Sequence, residues 1–388
     1  MKILAVVDFG LNERSGGYQR NLEIMGRLPK LAKVNIVPSI RNLSYAFNYG
    51  RKGELVSVLK GLNSTSGELM DNIRDSNSVE EFESRLRKEE YDVAVVYSNS
   101  SENVRLARKI TDAPLGVQLQ LEPFYLRDST LFRIKFRGPT GRALEKFERA
   151  LRESRREREV WLRLISEGNL NFAISVSRIP LLNSGLDSYL PYEVPSPANA
   201  LPEGIMKFRE DEKEDFAVYF TRLIPEKGLF EVPIIWKRVN ERRDVRLYVM
   251  GEFQDERDKV DFLNMVDRLK VNVEYLGFKE GEDLYRVVSR ARFTLYPSHY
   301  DSFSLVVLES LGLKTPVLAY RTQAMMEIFG EERGVVKIEE DNIKGMAEAA
   351  LRLNAEVGEG FVRKFLSWDR VVEAELMSIM RIRNFILR

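Results

Sequence analysis

Phe216-Ala-Val-Tyr-Phe-Thr-Arg222-Leu-Ile-Pro-Glu-Lys227-Gly228 is an apolar run that breaks into a turn carrying two cations. The run reads as a strand and the turn as its exit. Arg222 offers a planar fork of donors and Lys227 a point charge, so the pair across one tight turn is suited to clamp a diphosphate without any metal. Both arrive at the carboxyl end of a strand, where open α/β sheets hold their ligands.

A second stretch works the same way. Ala291-Arg-Phe-Thr-Leu-Tyr296 reads as a strand, Pro297 to Ser302 as a loop, and Phe303 to Gly312 as an apolar helix. Unpaired N–H groups at that helix start, around Ser304, Leu305 and Val306, form a ready anion site. Asp301 lies in the loop and Glu309 more than one turn into the helix, so the two carboxylates are expected to reach different parts of one ligand. A plainer reading has Asp301 or Ser302 capping a core helix, Val306, Val307, Leu308 and Leu311 packing beneath it, and Arg222 and Lys227 as solvated turn charges.

Alternation of strand and helix signals runs through the whole chain. Strands are predicted at Lys2–Phe9, Lys33–Pro38, Tyr91–Tyr97, Pro114–Gln120 and Asn171–Ser177, and again at Phe216–Phe220, Val245–Met250, Val271–Leu276, Phe293–Tyr296, Val317–Tyr320 and Val335–Ile338. A helix is predicted over Ser78–Glu90, opening on the capping box Ser78-Val-Glu-Glu81. The pattern gives an α/β protein with two doubly wound parallel sheets. Four prolines and a charge run between Pro191 and Asp215 mark the linker. The boundaries follow as 1–195 for the first domain, 196–213 for the linker, 214–366 for the second domain and 367–388 for an amphipathic terminal helix, with the site expected in the cleft between domains.

Residues Phe216 to Trp368 resemble the retaining, GT-B-type glycosyltransferases of family four (glycosyl transferases group 1), whose signature is Arg-x-x-x-x-Lys-Gly followed by two Glu eight apart. The first motif is intact from Arg222 to Gly228; the second matches as Asp301 to Glu309, with the first Glu shortened to Asp. Pro297-Ser298, Thr315-Pro316-Val317-Leu318-Ala319 and Glu327 fit as well, whereas the resemblance is weak before Phe216. It implies two Rossmann-like domains facing across a cleft, a terminal helix crossing back to the first, and metal-independent transfer of a sugar from a nucleoside-diphosphate donor to an unidentified acceptor, with no cofactor. In that frame Arg222 and Lys227 stabilise the departing diphosphate, Glu309 holds the ribose and Asp301 the sugar. The amides of Ser304 to Val306 cradle phosphate, and Gly228 and Phe303 complete the donor site.

Phe278-Lys279 is where the resemblance puts backbone contacts to the base, and Gly16-Gly17 of Ser15-Gly-Gly-Tyr18 is where it puts a close backbone approach to phosphate or sugar. The sequence departs from the family at Lys314, where Gly is usual, at Gln323-Ala324, where Gly-Gly is usual, and at Gln120, which stands where a donor-contacting His is usual. Gln120 keeps the capacity to bond a sugar hydroxyl but not to carry a proton. His299, two residues before Asp301, reads equally as a donor to the leaving group or as a surface residue. These departures motivate an alternative: a nucleotide-sugar-binding protein or partner subunit with little or no catalysis.

Composition narrows the field. The 388 residues carry no Cys and one His, which removes disulfide frames, thiol nucleophiles and multi-His metal clusters. A net charge of +1 argues against general nucleic-acid binding. No apolar run reaches membrane-span length and Asp8 interrupts the first strand early, so a cytoplasmic protein is expected. Arg127 to Arg163 holds twelve Lys or Arg against six Asp or Glu, with Leu144, Phe147, Leu151, Trp161 and Ile165 on one helical face after the breaker Gly138-Pro139. Its plain reading is a solvated helix packed on the first domain; the sharper one is a peripheral membrane contact, or one to a lipid-linked acceptor, through 127–165.

Overall fold

The computed structural model describes residues 1–11, 16–124, 129–138 and 140–388; Ser15, Arg127 and Pro139 of the stretches quoted above lie outside these. Among the described residues, twelve strands form two six-stranded sheets with every pairing parallel. The first contains β1 (Lys2–Val7), β2 (Lys33–Pro38), β3 (Val93–Tyr97), β4 (Leu115–Leu119), β5 (Phe172–Ser175) and β6 (Tyr192–Glu193), in the order β2-β1-β3-β4-β5-β6. The second contains β7 (Glu214–Phe220), β8 (Arg246–Met250), β9 (Val273–Tyr275), β10 (Ala291–Tyr296), β11 (Val317–Tyr320) and β12 (Val335–Ile338), in the order β12-β11-β10-β7-β8-β9. β1, β3, β4 and β5 are buried without alternation, apart from Lys2 at the start of β1, because helices cover both faces of the sheet.

In the second sheet β7 and β10 are neighbours although 70 residues separate them along the chain, because the winding reverses between them. Chains leaving a sheet on either side of such a reversal diverge and open a crevice at the carboxyl ends. The turn bearing Arg222 and Lys227 follows β7 and the loop bearing Asp301 follows β10, so topology alone puts the two motifs side by side.

Contacts divide the chain into one unit of Met1–Leu126, Leu151–Ala200 and Ser367–Arg388, and another of Arg127–Ala150 and Leu201–Leu366. The terminal helix Trp368–Ile386 thus belongs to the first unit. Trp368, Val371, Val372, Ile379 and Ile382 enter the same core as β1 and β3, and on the same face Glu375, fully buried, pairs with the buried Arg20 at 2.7 Å. Residues expected as a linker are partly structural instead: Ala198 and Ala200 are buried in the first unit, and Leu201 bonds through its N–H to Phe365 O at 2.7 Å in the second.

Two expectations need correction. The helix predicted over Ser78–Glu90 ends at Ser84, because the chain beyond it is recruited elsewhere: Glu89 N–H donates to Ile110 O at 2.7 Å and the Glu89 carboxylate takes Lys2 at 3.1 Å. The basic segment forms two helices, Ser129–Arg137 and Gly141–Ser166, and the first lies in the second unit rather than on the first domain. Its cations are not a free basic face. Arg133 grips the buried Asp258 with Nε and a terminal nitrogen at 3.0 and 2.6 Å, Arg137 takes Asp258 at 2.9 Å together with Asp261, and Lys135 bridges Glu231 and Asp341. Phe136 stacks near Phe230 in the second core. Only from Gly141 to about Val160 is the basic helix largely exposed. No helix among the described residues is long and apolar enough to cross a membrane.

Candidate active site

β7 ends at Phe220 and the chain turns with Arg222 exposed and Leu223, Ile224 and Pro225 buried, which pins a short 3-10 turn, Pro225–Lys227, against the sheet. Gly228 closes that turn at φ +78°, and a Cβ there would lie 2.2 Å from the Pro297 carbonyl oxygen. Only glycine accepts both the left-handed backbone and this approach. The approach is what brings Lys227 to the loop after β10.

Lys227 is buried, which removes the reading of it as a solvated turn charge. Its Nζ donates to Asp301 Oδ1 at 2.7 Å and to Tyr300 O at 2.7 Å and lies 3.4 Å from the Tyr296 hydroxyl. Tyr296 in turn donates to Asp301 at 2.9 Å. Burial holds the Lys227 amine below its ordinary range, and Asp301 opposes that shift. The expectation that Lys227 and Asp301 address separate parts of a ligand therefore meets a different geometry, in which each is the other's counter-ion. Arg222 stands close enough to Lys227 to push its proton affinity down further; its carbonyl accepts from Ile224 N–H at 2.9 Å, while its side chain makes no hydrogen bond or ion pair among the described residues.

The helix after the loop spans Leu305–Gly312, and Ser304 precedes it at φ +68° with no side chain capping the helix start. Asp301 is spent on Lys227 and Tyr296, and the Ser302 hydroxyl bonds the Tyr300 hydroxyl at 2.6 Å, so the plain capping reading of these two residues fails. The first-turn amides of Leu305 and Val306 are left for an external acceptor, with the helix dipole behind them. Glu309 is half-buried, its carboxylate has no hydrogen-bond or ion-pair partner among the described residues, and loss of water pushes that carboxyl up to about 7. Phe303 turns its ring into an aromatic cluster with Phe329 and Phe365. Phe278 and Lys279 sit between β9 and the helix Gly281–Arg290, with Phe278 half exposed.

His299 is neither a surface residue nor a free donor. Its Nδ1 lies 2.7 Å from Glu340 and its Nε2 3.0 Å from Glu231, and its side chain is only 4% exposed. Burial disfavours the charged ring, but the bonds to Glu231 and Glu340 outweigh it and raise the imidazole to about 9, so His299 is an imidazolium at neutral pH. Glu231, fully buried, also accepts from the Tyr320 hydroxyl at 2.6 Å and from Lys135 Nζ at 3.0 Å. Donor atoms of Glu231, His299 and Asp341 come within 4.8 Å of one another. The Lys135 ammonium bridges two of them and both His299 nitrogens are engaged, which makes the group a charge network rather than a metal centre.

Sequence reasoning missed Glu231, Tyr296 and Lys135. Glu231 left one signal, a lone carboxylate in the apolar run Leu229-Phe-Glu-Val232; Lys135 left none.

In the first unit, Gly16 and Gly17 open the helix Gly16–Arg27, and Gln120 Nε2 donates to Gly17 O at 3.1 Å and to Asn21 Oδ1 at 2.7 Å. The structure thus joins these three predicted residues, with the Gln120 amide hydrogens used internally and its carbonyl oxygen left to accept. Lys314 follows the helix Leu305–Gly312 in a left-handed conformation, φ +58°, which explains a glycine preference there. Its side chain runs outward to Asp211 at 2.8 Å.

Residues 203–356 match the family described as glycosyl transferases group 1. An uncharacterized glycosyltransferase of Methanocaldococcus jannaschii, MJ1607, is 25% identical over 183 residues, 45% of this chain and 46% of that one. The chain spans less than half the length of the curated relatives it matches. Among solved structures, Alr3699/HepE of Anabaena in complex with UDP superposes with a TM-score of 0.57 at 13% identity, covering 100% of this chain and 98% of that one. AviGT4, a glycosyltransferase involved in avilamycin A biosynthesis, gives 0.55 at 16% identity over 99% and 98%. These likenesses establish the two-unit GT-B fold.

Proposed function

We propose the following reaction for this chain, whose residues 203–356 match the glycosyl transferases group 1 family: retaining transfer of a sugar from a nucleoside-diphosphate donor to an acceptor, without a metal ion. One observation carries the proposal. A buried lysine held by a single carboxylate, an exposed arginine beside it and an uncapped helix start converge at the β7/β10 reversal. The arginine and the helix start have no counter-charge among the described residues, and the lysine has one that phosphate oxygens can displace, which is the arrangement a departing diphosphate neutralises. Glu309, unpartnered among the described residues and one helical turn on, is placed to take ribose hydroxyls. When the donor enters, its phosphate oxygens compete with Asp301 for Lys227, and Asp301 is freed toward sugar hydroxyls. HepE, of like fold, binds UDP, so uridine diphosphate is the first nucleotide to try.

A rival reading, donor binding with little turnover, draws on Gln120, whose amide hydrogens are committed to Gly17 and Asn21. Calorimetric titration of UDP, GDP and ADP with chelator present tests the site. Saturable binding of one of them is expected, and silence from all three would refute the proposal. Turnover then separates the readings. Lys227→Ala should lower transfer about a hundredfold or more, on the order of 3 kcal/mol of lost charge stabilisation, and a wild type that binds donor yet neither transfers nor hydrolyses it would favour the rival.

A further inference from the structure

Three elements that never meet in sequence converge on one carboxylate. Glu231 lies in the turn that begins at Lys227, and its N–H donates to Gly228 O at 2.9 Å. Its side chain takes His299 from the loop after β10, Tyr320 from the end of β11 and Lys135 from the helix Ser129–Arg137. The same loop is tied to the same turn again through His299 N–H to Glu226 O at 3.0 Å, and it is this loop that offers Tyr300 O and Asp301 to Lys227. Phe132 covers the His299 ring, with centroids 4.9 Å apart. We infer that Glu231 is a positioning residue for Lys227: through His299 it fixes the 297–302 loop in the register that holds the Lys227 ammonium ready for a diphosphate, and Lys135 keeps the Glu231 carboxylate in place.

This rests on the function proposed above. It adds an element that neither cation motif contains and that reaches into the segment between β4 and β5. Groups facing His299 are Glu231 from the first turn, Glu340 and Asp341 after β12, Tyr320 at the end of β11, and Phe132 and Lys135 on the covering helix; two residues along its own loop, Asp301 is paired with Lys227. Carboxylates dominate this set, so the imidazolium is the form that holds the loop. Burial lowers the Lys227 amine as well, so the shift between variants decides, not a wild-type midpoint alone.

The test uses the full chain and the Glu231→Gln variant, which keeps the shape and drops the charge. His299 is the only histidine, so its ring signals in NMR report one titration. A wild-type midpoint near 9 is expected, with a clearly lower midpoint in Glu231→Gln. Calorimetry with UDP, GDP and ADP across the same pH range should show the variant binding about tenfold more weakly near pH 8, where the two His299 populations differ most. Glu340→Gln, at the rim of the network, provides a second variant if the first folds poorly, and should shift both readouts in the same direction by less. Equal affinity and an equal pH profile in a folded Glu231→Gln overturn the inference and leave the proposed function standing. An unmoved His299 midpoint also overturns it. A wild type that binds none of the three nucleotides overturns the functional reading and this inference with it.

Discussion

Replacing Asp301 by Asn removes the sole salt-bridge partner of Lys227 among the described residues while keeping the side chain's shape. The two side chains are only 8% and 10% exposed, so water can replace little of what is lost, and breaking such a buried pair costs about 3–5 kcal/mol. Linkage sets the ceiling. The ordinary lysine value is 10.5, so shedding the proton at pH 7 costs 3.5 pH units at about 1.36 kcal/mol each, roughly 5 kcal/mol. The folded variant would hold Lys227 neutral while the unfolded chain binds the proton, so its stability rises with pH. The deficit relative to wild type should shrink from about 3–5 kcal/mol at pH 7 to about 2 kcal/mol at pH 9. Urea unfolding of both proteins at these two pH values measures it. A deficit below about 1 kcal/mol, or one that does not change with pH, would show that Lys227 is better solvated than its surroundings indicate.

Other outcomes follow from the same geometry. Gly228→Ala combines left-handed strain of about 1–2 kcal/mol with a contact that forces the Pro297 backbone to move, so a loss above about 2 kcal/mol in denaturant unfolding is expected. His299 has its folded value raised to about 9 against an ordinary 6.5. Its stabilising contribution is therefore complete below pH 6.5 and lost as pH rises through 9, and wild type should forfeit about 3 kcal/mol of its advantage over His299→Asn between pH 6 and 9.5. Lys314→Gly relieves a positive φ but gives up the surface pair with Asp211, so a small gain in melting temperature is expected, on the order of 0.5 kcal/mol.

Strand positions were legible because central parallel strands are covered on both faces and read as apolar runs, as at 317–320; even the edge strands at 33–38 and 335–338, which carry Lys33, Asn35 and Lys337, keep the bounds read from sequence. The motif spacing around Arg222–Gly228 and Asp301–Glu309 was legible as well, since each motif is a short contiguous stretch, the first a turn and the second a loop running into the helix Leu305–Gly312. What was hidden is contact at long range. Lys227 and Asp301 pair across 74 residues and Lys135 reaches Glu231 across 96, and no local pattern of charge says which cation will choose which carboxylate. His299 was misjudged for the same reason: both its partners, Glu231 and Glu340, come from other elements. Phe303 followed Asp301 closely enough to look like part of the site, but its ring belongs to the cluster with Phe329 and Phe365.

The membership of Trp368–Ile386 in the first unit bears on the order in which the chain can mature during synthesis. Strands β1 to β6 are complete by residue 193, yet the core they form still lacks Trp368, Val371, Val372, Ile379 and Ile382, and Arg20 lacks Glu375. Everything from Leu201 to Leu366 is translated before those side chains emerge. The half of the protein that is made first is therefore finished last. Until then it carries an apolar groove and a buried-type arginine without its partner, which is the state in which a nascent chain most needs a chaperone.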